Sequence, residues 1–542
     1  MPTTQKRGSK CDLQRPTCGQ CQAAGIECAG YIRQRLFVNA TVTRTGAGGP
    51  HAQSILSIST STSTATSTST SISTGTPTIT LPPTLARTAY QDKYISLFWT
   101  AYTPGSQHIS PPTLRNSLGS WTNAIQDLYL TDDVLRKALL AISLTTIGRG
   151  RDGQKWMAEQ GLEMYTGALK DMSATLAVGG RGRVWGKGRA DALLTASKLF
   201  SLYEAMHGAD ERHRNAQANS WHAHCGGEMA LLTARSPLQY ASGHAHRLFV
   251  DGRLHLTVSA ILARKRTLLS SPEWKTIPWL HHPKSLRDKL LDILVDIPTL
   301  YEEIDILNAL SSPPTDVHRN SETQTQFNSL HHSLLTSCWA LDNLLDKWYQ
   351  CIPLPREEGI PTPNTSHPTV ARDNNATDTK KEEDSEFIIT LDQLALAHVF
   401  ALYWATRILL CEVFTDLLPH GGLDTDDQDV RARIDPRQYI RRMVGVIPIF
   451  LHPAVGVFRV HLSTFAMGVV ARWFGRGEKA NGAGGLGMDG DGGDMRYERE
   501  LFMSYLQREE ARGIARFLRG LIETDAVPLG VQGKYIESGS DG

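Results

Sequence analysis

Cys11, Cys18, Cys21 and Cys28 fall within eighteen residues, spaced C-x6-C-x2-C-x6-C, and make up half of the chain's eight cysteines. Four thiolates this close can surround one Zn2+ tetrahedrally, and closing such a site supplies much of the folding free energy of a small module. The Cys18–Cys21 pair brings two thiolates to one metal from a tight turn, and Gly19 and Gly25 relieve the backbone where it bends. A disulfide framework or a set of unrelated thiols is the alternative. Met1 to Lys10 is polar and basic, with no apolar stretch of the secretory kind. The thiols are therefore expected to be reduced, and clustered reduced cysteines point to metal.

The formal net charge of the 542 residues is +1, which favours no particular partner. Its distribution is more informative. Within residues 1–50, Lys6, Arg7, Lys10, Arg15, Arg33, Arg35 and Arg44 stand against only Asp12 and Glu27, a local charge of +5. A small basic module on a near-neutral body is an electrostatic footprint for phosphate. Without the adjoining cysteines the same residues would read as a solvated basic tail.

The stretch KCDLQRPTCGQCQAAGIECAGY, Lys10 to Tyr31, resembles the fungal binuclear zinc cluster, the Zn2Cys6 DNA-binding module, whose pattern is C-x2-C-x6-C, a loop, then C-x2-C-x6-8-C. Cys11 matches the third cysteine, Cys18 the fourth, Cys21 the fifth and Cys28 the sixth. Lys10-Cys11-Asp12, Arg15-Pro16 and Gly30-Tyr31 are also similar to the family. Counting back from Cys11 puts the second cysteine at Thr4 and the first at Met1, and neither is cysteine. Two of the six thiolates that hold two zinc ions in the family are thus missing. Either the start codon is assigned too late, an upstream exon is missed, or the first half of the module is lost. The four thiolates present are expected to collect around a single zinc.

The resemblance implies a nuclear, sequence-specific regulator of RNA polymerase II transcription that reads CGG-type half-sites in double-stranded DNA. The family's recognition residues lie between its second and third cysteines, here Gln5 to Lys10, so Lys6, Arg7 and Lys10 are the available donors. Arg7 suits bidentate contact with guanine O6 and N7. Gly8 stands where the family is often basic. Arg15, Arg33 and Arg35 are expected on phosphates. No clear heptad repeat follows the cluster, so a homodimer is left open; co-regulators or the transcription machinery are the expected protein partners. A helical co-regulator that has lost DNA binding is the second reading, and an enzyme on an all-α scaffold the third.

These residues sit at one end of a chain long enough for roughly two to four domains. The expected organisation is a partial cluster over 1–38, a Ser/Thr-rich disordered linker over 39–84, an all-α body over 85–525 with disordered inserts near 353–386 and 475–495, and a tail over 526–542. Ser54 to Thr80 has no charge and no periodic large apolar face to repay ordering entropy. The overall fold class is mainly α: a zinc-cluster remnant joined by a linker to a large helical regulatory domain.

Helical periods carry the body. One apolar stripe runs through Leu193, Leu194, Ser197, Phe200 and Tyr203, and another through Leu334, Leu335, Cys338, Leu341, Leu345 and Trp348. The clearest runs from Leu286 to Leu307, and Pro298 inside it predicts a kink or a break into two helices. Residues 389–418 predict a long apolar helix at the centre of a bundle. Its stretch Leu394 to Cys411 is nearly apolar enough for a membrane, yet it carries His398 and Arg407, with Glu412 just beyond. A buried core helix, and no membrane, is the expectation. Trp221 to Trp279, with Gly226-Gly227 before an apolar helix, then Arg235-Ser236-Pro237, Pro272-Glu273-Trp274 and Ile277-Pro278-Trp279, is similar to the fungal-specific transcription factor domain. That family is all-helical.

Other motifs carry little. Gly482 to Gly487 spells G-x-G-x-x-G without the strand and helix a dinucleotide site needs. Asp489, Asp491 and Asp494 lack calcium-loop spacing. Asp424 to Asp429 reads as a solvated acidic loop. His222, His224 and Cys225 have no second ligand cluster and read as a helix entry packed on Trp221. His281-His282 and His331-His332 read as surface pairs, and Cys338, Cys351 and Cys411 as buried or isolated thiols. No nucleophile elbow, P-loop or H-E-x-x-H is present, and no enzyme is expected.

Overall fold

The computed structural model describes residues 83–102, 120–150, 154–179, 186–208, 216–311, 321–352, 360, 390–418, 432–482 and 495–524. The chain divides into two units, Met1–Arg87 and Thr88–Gly542, and the helical body is the second. Among the described residues the structure is helical, with no strand.

In chain order the helices are α1 (Pro83–Tyr102), α2 (Ser120–Leu128), α3 (Asp133–Gly148), α4 (Lys155–Gly179), α5 (Lys187–Met206), α6 (Ala216–Thr233), α7 (Gly243–Ala263) and α8 (Pro272–Thr276). They continue with α9 (Leu286–Leu294), α10 (Ile297–Ser311), α11 (Ser321–Gln350), α12 (Leu391–Leu417), α13 (Arg437–Leu451), α14 (Arg459–Gly482), α15 (Arg496–Gln507) and α16 (Arg512–Thr524). Short 3-10 turns include Pro237–Tyr240 and Pro453–Phe458.

Local chemistry sets several of these boundaries. Asp132 caps α3, its Oδ1 accepting from the N–H groups of Val134 at 2.9 Å and Leu135 at 3.1 Å. Ser285 with Asp288, and Thr390 with Gln393, form reciprocal capping boxes at the starts of α9 and α12. The long stripe breaks as expected: α9 ends at Leu294 and α10 begins at Ile297, with Pro298 in its first turn, where a missing N–H costs nothing. The Ile293, Leu294, Ile297, Leu300, Tyr301 and Ile304 side chains on both sides of the break are buried.

Packing proceeds between neighbours in sequence and then closes on itself. α3 packs on α4 and on α5, and α5 on α6. Gly161 permits the α3–α4 approach, since a Cβ there would stand 2.2 Å from Thr145 Oγ1. α12 lies at the centre of the second half, against α9, α10, α11, α13 and α14. α16 returns to pack on α5, α6 and α14.

α12 is the nearly apolar helix of the sequence, and 83% of its most apolar window is buried within the body. Among the described residues, Pro453–Arg476 is also long and apolar enough to cross a membrane by composition. The charges of α12 are its cross-links. Arg407 pairs with Asp342 and Asp346 of α11, and its Nε donates to Tyr403 Oη at 3.0 Å. Glu412 accepts from Tyr301 Oη at 3.2 Å and from Arg476 Nη1 at 3.2 Å.

Four sequence expectations are corrected. His222, His224 and Cys225 lie inside α6, not at a helix entry, and Gly226-Gly227 continues that helix instead of preceding one. Neighbouring helices supply the packing that offsets the cost of internal glycine. His331 is no surface residue: its Nε2 donates to Leu417 O at 3.0 Å, because α11 lies against the end of α12. α14 runs to Gly482, into the stretch read as a glycine-rich insert.

Candidate functional site

Cys11, Cys18, Cys21, Cys28, Lys6, Arg7, Lys10 and Arg15 lie outside the described residues, as do the Ser/Thr-rich linker and the acidic and glycine-rich motifs at 424–429 and 483–494. Among the described residues, no three His, Cys, Asp or Glu side chains converge to hold a metal. His222 Nδ1 bonds to Ser259 Oγ at 2.9 Å and His224 Nε2 to Tyr165 Oη at 2.7 Å, while Cys225 is buried and burial pushes its thiol up. His222 and Cys225 both face Ser259, while His224 faces Tyr165. Cys338 and Cys411 are likewise buried, and Cys351 is exposed.

The body does contain a polar interior site. α5 is buried from Asp191 to Met206, and Lys198 at its middle is 4% exposed. The Lys198 ammonium lies over the Trp121 ring, 5.1 Å from its centroid, and makes no hydrogen bond or ion pair among the described residues. Arg287, in the first turn of α9, is buried, and its Nε has no partner. His398 of α12 and His461 of α14 each have a covered Nε2 without a partner. All four side chains line one cavity of about 160 Å3 walled by α2, α5, α6, α7, α9, α12, α14 and α16 and partly open to solvent.

Electrostatics follow from this burial. Removal from water pushes Lys198 down, Asp251 and Glu228 opposing the shift. Burial, with Arg287 nearby, lowers His398 to about 3, and His461 is also held well below the ordinary imidazole range. Both imidazoles are therefore neutral at neutral pH, each with one donor and one acceptor nitrogen. The local carboxylates are engaged. Asp251 accepts from Trp121 N–H at 2.8 Å, and Glu228 bonds to His255 Nε2 at 2.7 Å.

Residues 5–36 match the fungal Zn(2)-Cys(6) binuclear cluster domain. The matched stretch contains all four clustered cysteines and Lys6, Arg7, Lys10 and Arg15. The zinc cluster binds zinc and is the DNA-binding module of fungal transcription regulators, a non-enzymatic class. No curated protein and no solved structure matches the chain.

The match over residues 5–36 was legible because its four cysteines are close in sequence. Lys198, Arg287, His398 and His461 come from four helices, and no local spacing joins them. The local signals were a lysine inside the apolar run of α5 and His398 inside that of α12.

Proposed function

We propose that the chain is a nuclear, sequence-specific regulator of RNA polymerase II transcription that reads CGG-type half-sites. The match of residues 5–36 to the zinc cluster carries this reading. Cys11, Cys18, Cys21 and Cys28 are the zinc ligands in this proposal. Four thiolates suit one tetrahedral Zn2+. The metal supplies the cross-link that holds the short module folded. Lys6, Arg7 and Lys10 reach the major groove, Arg7 as the bidentate donor to guanine, and Arg15 contacts phosphate. The helical body serves as the fungal-specific transcription factor domain, linked to the cluster by residues 39–84, and contacts co-regulators or the transcription machinery.

A second reading, a helical co-regulator without DNA binding, is favoured by the count of four thiolates where the cluster uses six. One titration separates the two. The full chain is titrated with CGG-containing and scrambled duplexes at fixed salt, with and without a zinc chelator. Preference for CGG that the chelator abolishes supports the first reading. Equal, chelator-insensitive binding, or none, supports the second.

A further inference from the structure

We propose that the interior cavity of the helical body binds a small organic acid: one carboxylate on an apolar body about the size of a single aromatic ring, held between Lys198 and Arg287 at its charged end. The inference starts from donors without acceptors. Lys198 offers three N–H groups and is bonded to nothing but the face of Trp121 among the described residues. Arg287 brings an unpartnered Nε to the same cavity, and His398 and His461 each add an unpartnered Nε2. Buried polar groups are nearly always satisfied, and the exceptions need an explanation. A buried ammonium and a buried guanidinium without an ion pair are costly to keep unless something binds them.

The chemistry of the occupant follows from what surrounds these groups. A carboxylate is acceptor-only and matches both an ammonium and a guanidinium fork. Asp251 and Glu228 both favour the charged form of Lys198, and Arg472, beside Glu412 at 3.7 Å, adds a third cation to the cavity wall. Much of the remaining wall is apolar, with Trp221, Leu254, Val258, Phe465, Phe517 and Leu518 among its side chains. A volume of about 160 Å3 is close to that of an engineered cavity able to take benzene. Because α5, α7, α12, α14 and α16 all contribute walls, an occupant would join elements far apart in the chain.

This binding is independent of the DNA-binding reading, and its test involves no DNA. The full chain is titrated calorimetrically with phenylacetate and benzoate, with benzyl alcohol as the neutral body, benzylamine as the cationic body and sulfate as an anion without a body. Saturable binding of at least one acid, tenfold or more tighter than benzyl alcohol, benzylamine and sulfate, is the expected result. Lys198→Met and Arg287→Met, each checked for folding by circular dichroism, are expected to weaken the acid tenfold or more and leave benzyl alcohol within about threefold. Lys198→Arg should retain part of the affinity. No saturable binding of either acid to the unaltered chain would overturn the proposal. So would equal or tighter binding of the neutral, cationic or inorganic probes. The comparison on the unaltered chain decides the matter even where a variant does not fold.

Discussion

Arg407 of α12 pairs with Asp342 of α11 where their side chains are 3% and 2% exposed. Arg433 reaches the same carboxylate, and Asp346 accepts from both guanidinium groups. Tyr403 and Tyr439 lie beside Arg407, at 5.4 and 5.9 Å from ring centroid to guanidinium carbon. The pairing lets a charged residue sit in the middle of a buried helix. Removing Asp342 leaves two guanidinium groups to share the part-exposed Asp346. Asp342→Ala is expected to destabilise the body by about 1.5–3 kcal/mol, read from the denaturant midpoint. Replacing Arg407 and Asp342 together by methionine and leucine should recover much of that loss. A single replacement that costs nothing would contradict this account.

Gly456 has φ 62° and ψ −154°, and a Cβ there would stand 2.5 Å from Ala101 O. Gly456→Ala is therefore strained and crowded at once, with an expected cost of about 2–4 kcal/mol. Gly445, inside α13, has open space around its Cβ position. Gly445→Ala should instead stabilise by about 0.5–1 kcal/mol, through helix propensity. The two midpoints should move in opposite directions.

His207 closes α5 with its Nε2 2.9 Å from Thr146 Oγ1. Burial, with Arg149 and Arg516 adding, lowers its pKa from the ordinary 6.5 to about 3. The folded state therefore holds His207 neutral while the unfolded chain takes up a proton below 6.5. Its contribution to stability is fully present above 6.5 and is lost as pH falls through that window towards 3. His398 behaves alike. His207→Gln is expected to flatten the acid limb of a stability–pH curve by about 1.4 kcal/mol per pH unit between roughly pH 6 and 4. An unchanged slope would refute the assignment.

Metal analysis of the full chain is expected to find about one tightly held zinc, because four thiolates complete one tetrahedron. Cys18→Ser should remove most of it. Two zincs per chain, or none, would contradict the proposed ligand set.

DNA affinity should depend on thiolates the module lacks. Met1→Cys with Thr4→Cys, placed behind a new start, is expected to tighten binding to CGG duplexes strongly. In the present sequence Gln5 to Lys10 must be ordered on binding, at roughly 1–2 kcal/mol per residue. Ordering even a few of them costs several kcal/mol, and each ~1.4 kcal/mol is tenfold in affinity. Residual binding through Arg15, Arg33 and Arg35 should be salt-sensitive and poorly specific. Equal affinity and discrimination in the two versions would show that the lost thiolates are immaterial.

The sequence by itself determined the helical class, the break at Pro298 and the zinc cluster. Each rests on residues close together in the chain: apolar side chains at three-and-four spacing, a proline without an N–H, four cysteines within eighteen residues. The burial of α12 was legible for the same reason, since its apolar content demands cover and His398, Arg407 and Glu412 make a membrane costly. Tertiary structure alone decided where those charges go. Asp342 is 65 residues from Arg407, and Tyr301 is 111 from Glu412. It also decided that Gly226-Gly227 stays helical, because neighbouring helices offset a poor local propensity. The interior site was hidden for the same reason. A lysine, an arginine and two histidines become one cavity wall only when α5, α9, α12 and α14 pack together, and local spacing carries no record of that meeting.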